Sequence, residues 1–361
     1  MFNKLKKLLG TAEPAPQAAA PDTMLVNAYA TCGEVPVPTF VHHLHGRRDL
    51  SDPELPEHLR GFIGYVISRG DGQMSYAKYH VMRHLQRTRQ HWSLVVEADE
   101  MPAVSEWAAR ANALLFLPDG HVRDPQARVL VAADDGSSEA QAAVPYPPQA
   151  LQRKARGDAR AAAMGVPVPA HLPPVIAEPE VQLRKPAEVV GRALALFLVA
   201  IRAESIAGHE SLGLAELRAH CPEGFAYLSP KEEAFLHAEV PDESEVVQMT
   251  WRYEALHVLQ WALGLIDTLP DPTAVCDVPR VVQTIEQCTA LGAAARLRPV
   301  AEILDALDLH YRLHWRVRQC ELDGSEVPAG VMPSVVLERH YALNWLVRFE
   351  DADWDDVDTP T

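Results

Sequence analysis

Proline decides how this chain is divided. Between Ala133 and Pro186 the sequence turns to alanine, proline and charge, in DDGSSEAQAAVPYPPQ and again in VPVPAHLPPVIAEPE. Each proline removes a backbone donor and fixes φ near about −65°, so such segments link or wrap and do not enter a sheet or the middle of a helix. The intervening ALQRKARGDARAAAM can still form one helix. At 361 residues the chain is longer than one compact core usually supports. The break at residues 133–148 is therefore read as a linker between a region over 23–132 and a second over 149–361.

The first region alternates strand-like and helix-like runs. Met24 to Ala30 is a compact apolar strand, and the polar stretch HHLHGRRDLSDPELPEH that follows reads as a loop. Helices are expected over His58–Ser68 and Tyr76–Thr88, then a buried strand at SLVVEA, then a helix from Pro102 carrying Trp107 and Ala111. LLFL, PDG and ARVLVAA give strand, turn and strand. The expectation is a small α/β sheet domain, with a ferredoxin-like sandwich as one arrangement that fits.

After Lys185 helical periodicity takes over. Val189, Ala193, Leu196, Phe197 and Ala200 form one stripe, with Pro186 at a first helical position. Ser229 and Glu232 stand at capping-box spacing. Helices follow over Trp251–Leu265, Pro299–Cys320, where Asp308 can pair with Arg312 one turn on, and Pro333–Phe349, which is apolar almost all round. An acidic stretch, EDADWDDVDTPT, comes last. The fold class is α+β: a small sheet domain, then a mostly α-helical domain.

Eight collinear blocks in this second half carry a resemblance. They are RKAR from Arg153, MGVPVPAHLP from Met164, EVVGRA from Glu188, LSPKE from Leu228, WRYEALHVLQWALG from Trp251, ILDALDLHYR from Ile303, ERHYALNW from Glu338 and WDDVDT from Trp354. Over roughly Gln149 to Thr361 the chain resembles a bacterial family of domains of unknown function, DUF4272. The resemblance implies a largely helical domain and transfers no catalytic residue.

Lys plus Arg at 33 against Asp plus Glu at 49 gives a formal charge of −16, which opposes a nucleic-acid footprint. Five widely spaced cysteines with no C-x-x-C fit neither a disulfide scaffold nor a zinc ribbon, and point to a reducing, cytoplasmic setting. The start, MFNKLKKLLG, has cations but no apolar stretch behind it, so a signal peptide is not expected. Residues 1–22 read as a flexible basic arm. No apolar run approaches the roughly 20 residues of a membrane span, so stable membrane insertion is not expected.

Familiar catalytic signatures are missing. There is no phosphate-binding glycine loop and no G-x-S-x-G elbow. Cys276 and Cys288 read as small core residues. Glu254 and His257 form one E-x-x-H pair, but a carboxylate-bridged di-metal bundle needs a second copy and further glutamates. His310 and His314 lie one turn apart without an H-E-x-x-H context. No metal and no cofactor is expected, and these groups are read as polar residues satisfied between helices.

The densest polar group is Glu338, Arg339, His340 and Asn344, on a helix with little solvated face. Burial of Glu338 is expected, paired with Arg252 or Arg312; Glu254 and Asp308 are the other available partners. One reading is a structural network that fixes helix register. The other is a ligand pocket lined by Trp251, Trp261 and Trp345. Two functions follow. The first is a non-enzymatic binding or regulatory protein that engages a protein partner through the sheet domain or the acidic end. The second is a metal-dependent or small-molecule enzyme built around Glu254, His257, His310 and Glu338. A closed network favours the first and an open polar cavity the second; oligomeric state stays open.

Overall fold

The computed structural model describes residues 23–361, and the basic arm expected over residues 1–22 lies outside them. The chain forms two compact units that meet in sequence at Pro145 and Tyr146. Its class is α+β.

In the first unit, strands β1 (Thr23–Ala30), β2 (His43–Asp49), β3 (Gln90–Glu97), β4 (Ala113–Phe116), β5 (Val122–Arg123) and β6 (Val129–Val131) form one antiparallel sheet in the order β2-β3-β1-β4-β5-β6. Helices α1 (Leu55–Ile67) and α2 (Tyr76–Gln86) lie between β2 and β3, and α3 (Met101–Ala111) follows β3. Alternation along β1 sorts the two faces. Val26, Ala28 and Ala30 pack with Val104, Trp107 and Ala108 of α3, whereas Tyr29 packs with Phe62 and Val66 of α1 and Val81 and Leu85 of α2. With helices on both faces and β5 and β6 extending the sheet beyond β4, the arrangement differs from the ferredoxin-like sandwich, whose helices share one face.

Two boundaries differ from the sequence expectation. HHLHGRRD, read as loop, supplies strand β2, paired along β3 with a register shift between Leu44 and Gly46. No residue of β2 is buried, so an apolar alternation could not announce it; hydrogen bonds to β3 form it instead. The stretch read as a linker from residue 133 is also bound into the first unit. Ala132 donates to the Ser137 carbonyl, Glu139 exchanges bonds with Val129, and Ala142 and Val144 pack on the α1–α2 side.

The second unit comprises α4 (Pro148–Ala163), α5 (Pro186–Ala207), α6 (Leu214–His220), α7 (Pro230–His237), α8 (Glu243–Thr250), α9 (Arg252–Ala262), α10 (Val278–Gln283), α11 (Ile285–Leu291), α12 (Val300–Asp323) and α13 (Pro333–Leu346). α5 is buried without interruption from Val189 to Ala200 and packs on α8 and α9; α9 also packs on α13, and α12 lies between α4 and α13. Ser229 and Glu232 close the capping box of α7 reciprocally. The proline-rich stretch lies against this unit: Val166, Leu172 and Ala177 are buried, Val175 and Ile176 pack on the main core, and Glu180 accepts from the Ala177 N–H at 2.8 Å. No helix among the described residues is long and apolar enough to cross a membrane.

Candidate functional site

Helix α9 begins at Arg252, so Glu254 and His257, three residues apart, share its inner side. Across from it, α13 presents Glu338 and Arg339 in succession. The structure joins the two helices twice: Arg252 pairs with Glu338 at 2.9 Å, and Arg339 pairs with Glu254 at 2.9 Å. Arg339 is fully buried, and its second donation goes to the Pro270 carbonyl at 2.6 Å. The remaining carboxylate oxygen of Glu254 accepts from the Cys276 backbone N–H at 2.5 Å, which ties the loop before α10 to the pair. Burial raises the Glu338 carboxyl, opposed by the nearby Arg252 charge.

Arg312 takes other partners. It grips Asp308 one turn earlier with two bonds of 2.8 and 2.7 Å and stands 2.9 Å from Asp158 of α4, while Asp308 and Arg312 are both fully buried. A glycine at 157 makes this possible. A Cβ there would fall 1.9 Å from the Asp308 Oδ2 and 2.7 Å from the Arg312 Nε.

A third group consists of histidines. His314 and His340 share a hydrogen bond between their Nδ1 atoms at 2.9 Å, so one ring donates and the other accepts. His310 instead bonds the Ala306 carbonyl through Nδ1 at 2.8 Å. Burial lowers His310 to about 3 and His314 to about 4, and holds His340 well below its ordinary value. All three are neutral side chains of the core.

The aromatic residues separate. Trp345 packs edge-on against Trp354 and under Arg184, Trp261 lies beneath Arg298, and Trp251 ends α8 half-buried. Asn344 donates to the Asp358 carbonyl at 2.8 Å and so anchors the acidic segment. Sequence reasoning did not find Asp158 or the pairs Arg192–Glu232 and Arg153–Glu178, and it read Cys276 as a small core residue and not as a partner of Glu254. These partners lie 25 or more positions apart or on separate elements, and no local spacing signals them.

The family model described as a domain of unknown function (DUF4272) matches residues 153–357. No curated protein and no solved structure matches the chain. The Arg252, Glu254, Arg312 and Arg339 pairings all fall inside the matched span.

Proposed function

The chain belongs to the DUF4272 family, and we propose that it is a non-enzymatic binding protein whose helical unit is a rigid scaffold and whose sheet unit docks a protein partner. One observation carries the reading: the deeply buried arginines of the helical unit, Arg153, Arg192, Arg312 and Arg339, are each held by carboxylates of the same unit. Charges neutralised by one another present little to a substrate. The formal charge of −16 supports a protein partner over nucleic acid. Five buried free cysteines support a reducing, cytoplasmic setting.

The docking element is the outer edge of β2. At the opposite end of the sheet, residues 137–139 cover β6; among the described residues β2 has only β3 beside it in the sheet. Leu44 is 46% exposed in β2, with Val41 at 70% and Val37 at 78% in the segment leading to it. An unpaired edge with exposed apolar side chains is a template for strand addition. From residue 42 to 49 the edge carries His42, His43, His45, Arg47 and Arg48 against Asp49 alone. The partner is therefore an extended segment that alternates apolar and acidic residues.

Selection from a random peptide library on the full chain tests this. Enriched peptides are expected to show that alternation and to bind at least about tenfold more weakly to Leu44→Asp, which places a charge on the apolar contact, than to the control Leu322→Asp. Peptides that bind both variants equally, or a selection that enriches none, would refute β2 as the docking element.

A further inference from the structure

We propose that Glu254, His257 and Cys276 form a binding site for a thiophilic divalent cation, with Zn2+ the best match to its donors. This goes beyond the binding-protein reading and does not rest on it.

Each of the three residues is buried, and each offers a donor atom such that the three donors lie within 4.8 Å of one another. In a tetrahedral zinc site, donors about 2.0–2.3 Å from the ion stand about 3.5 Å apart, so closing the set needs adjustments of about 1 Å at side-chain ends. Helix spacing supplies Glu254 and His257. The Cys276 N–H on Glu254 brings the third donor to them from a loop that sequence spacing could not place. Thiolate, imidazole and carboxylate together favour Zn2+ over hard cations such as Mg2+ or Ca2+.

A second observation points to a ligand. His257 is 6% exposed, yet its Nδ1 is buried and meets no hydrogen-bond partner among the described residues. An unpartnered buried ring nitrogen is costly in a purely structural histidine.

Cys276 is the group that must change on binding. A thiol carries a proton that a metal-bound thiolate does not. Binding replaces that proton: the Cys276 S–H and Zn2+ give a Zn–S bond and one proton to solvent. Arg339, on the other Glu254 oxygen, acts as a positioning residue that fixes the carboxylate. Three protein ligands leave a fourth tetrahedral position for water or a ligand.

Titration of the full chain with Co2+, a spectroscopic stand-in for Zn2+, is the test. A thiolate-to-cobalt absorption band should saturate at about one equivalent, with about one proton released per ion, and Zn2+ should displace it. The band should vanish in Cys276→Ser, demand at least about tenfold more Co2+ in His257→Gln, and persist in Cys288→Ser. Absence of a stoichiometric band in the wild type, or its survival in Cys276→Ser, overturns the proposal. Should the variants fail to fold, alkylation of the wild type decides: Zn2+ is expected to slow modification of Cys276 and not of Cys288, and equal effects on both would overturn the site.

Discussion

Glu254→Ala, in protein freed of metal by chelation, is expected to lose about 3–5 kcal/mol of stability, the range for removing one partner of a buried ion pair. Arg339 is fully buried, and without Glu254 its charge would keep the Pro270 carbonyl but no carboxylate. The Cys276 N–H would lose its acceptor in the same step. Glu254→Gln should lose less, because an amide oxygen can still accept one of the two bonds. Urea denaturation of the full chain, followed by helical circular dichroism, measures both variants. A Glu254→Ala protein as stable as the parent would mean that the carboxylate is held there against stability, for a ligand.

Acid should weaken the helical unit through its buried histidines. His310, His314 and His340 have folded pKa values lowered from an ordinary 6.5, to about 3, about 4 and well below 6.5 respectively. Above pH 6.5 neither state binds these protons and the histidines are neutral contributors. Below 6.5 the unfolded chain takes up protons that the folded one refuses, so stability falls as pH falls from 6.5 toward the folded values. At pH 5 this amounts to about 2 kcal/mol each for His310 and His314, and His340 adds in the same direction. The neighbours leave the sign unchanged: Arg339 and Arg160 face His310 against Asp271, and Arg318 faces His314 against Glu321 and Asp358. Urea midpoints between pH 7 and pH 5 should drop steeply in the parent and much less in the double variant His314→Leu, His340→Leu. Parallel profiles would show that the pair titrates normally in the folded chain.

The helices with several turns of apolar period, α5, α9, α12 and α13, were legible because burial of one stripe is written in the residue order. Short helices such as α6 and α10, of seven and six residues, have too few turns to carry a period. Strand β2 was misread for the opposite reason: an edge strand with neither face buried owes its place to β3, not to its own pattern. At the candidate site, chemistry named the right groups but not every pairing. Arg252 and Arg312 were equal partners for Glu338 by charge; the structure gives Glu338 to Arg252, while Asp308 and Asp158 hold Arg312. Such choices depend on which helices face each other across the core, and long-range packing decides that. From the sequence alone Cys276 reads as a small core residue, and only the folded loop brings it to Glu254.

The central claim, that the buried charges of the helical unit serve one another, is tested most directly by a double-mutant cycle at Arg312 and Asp308. Both side chains are fully buried and joined by two bonds. Chemical denaturation of Arg312→Met, Asp308→Leu and the double variant should show Arg312→Met losing about 3 kcal/mol or more, Asp308→Leu losing less because Asp158 still pairs with Arg312, and the double losing less than Arg312→Met, because no fully buried charge is then left alone and Asp158 keeps Lys154. An Arg312→Met protein as stable as the parent, or more stable, would contradict the account and mark this pair as a site kept for a ligand.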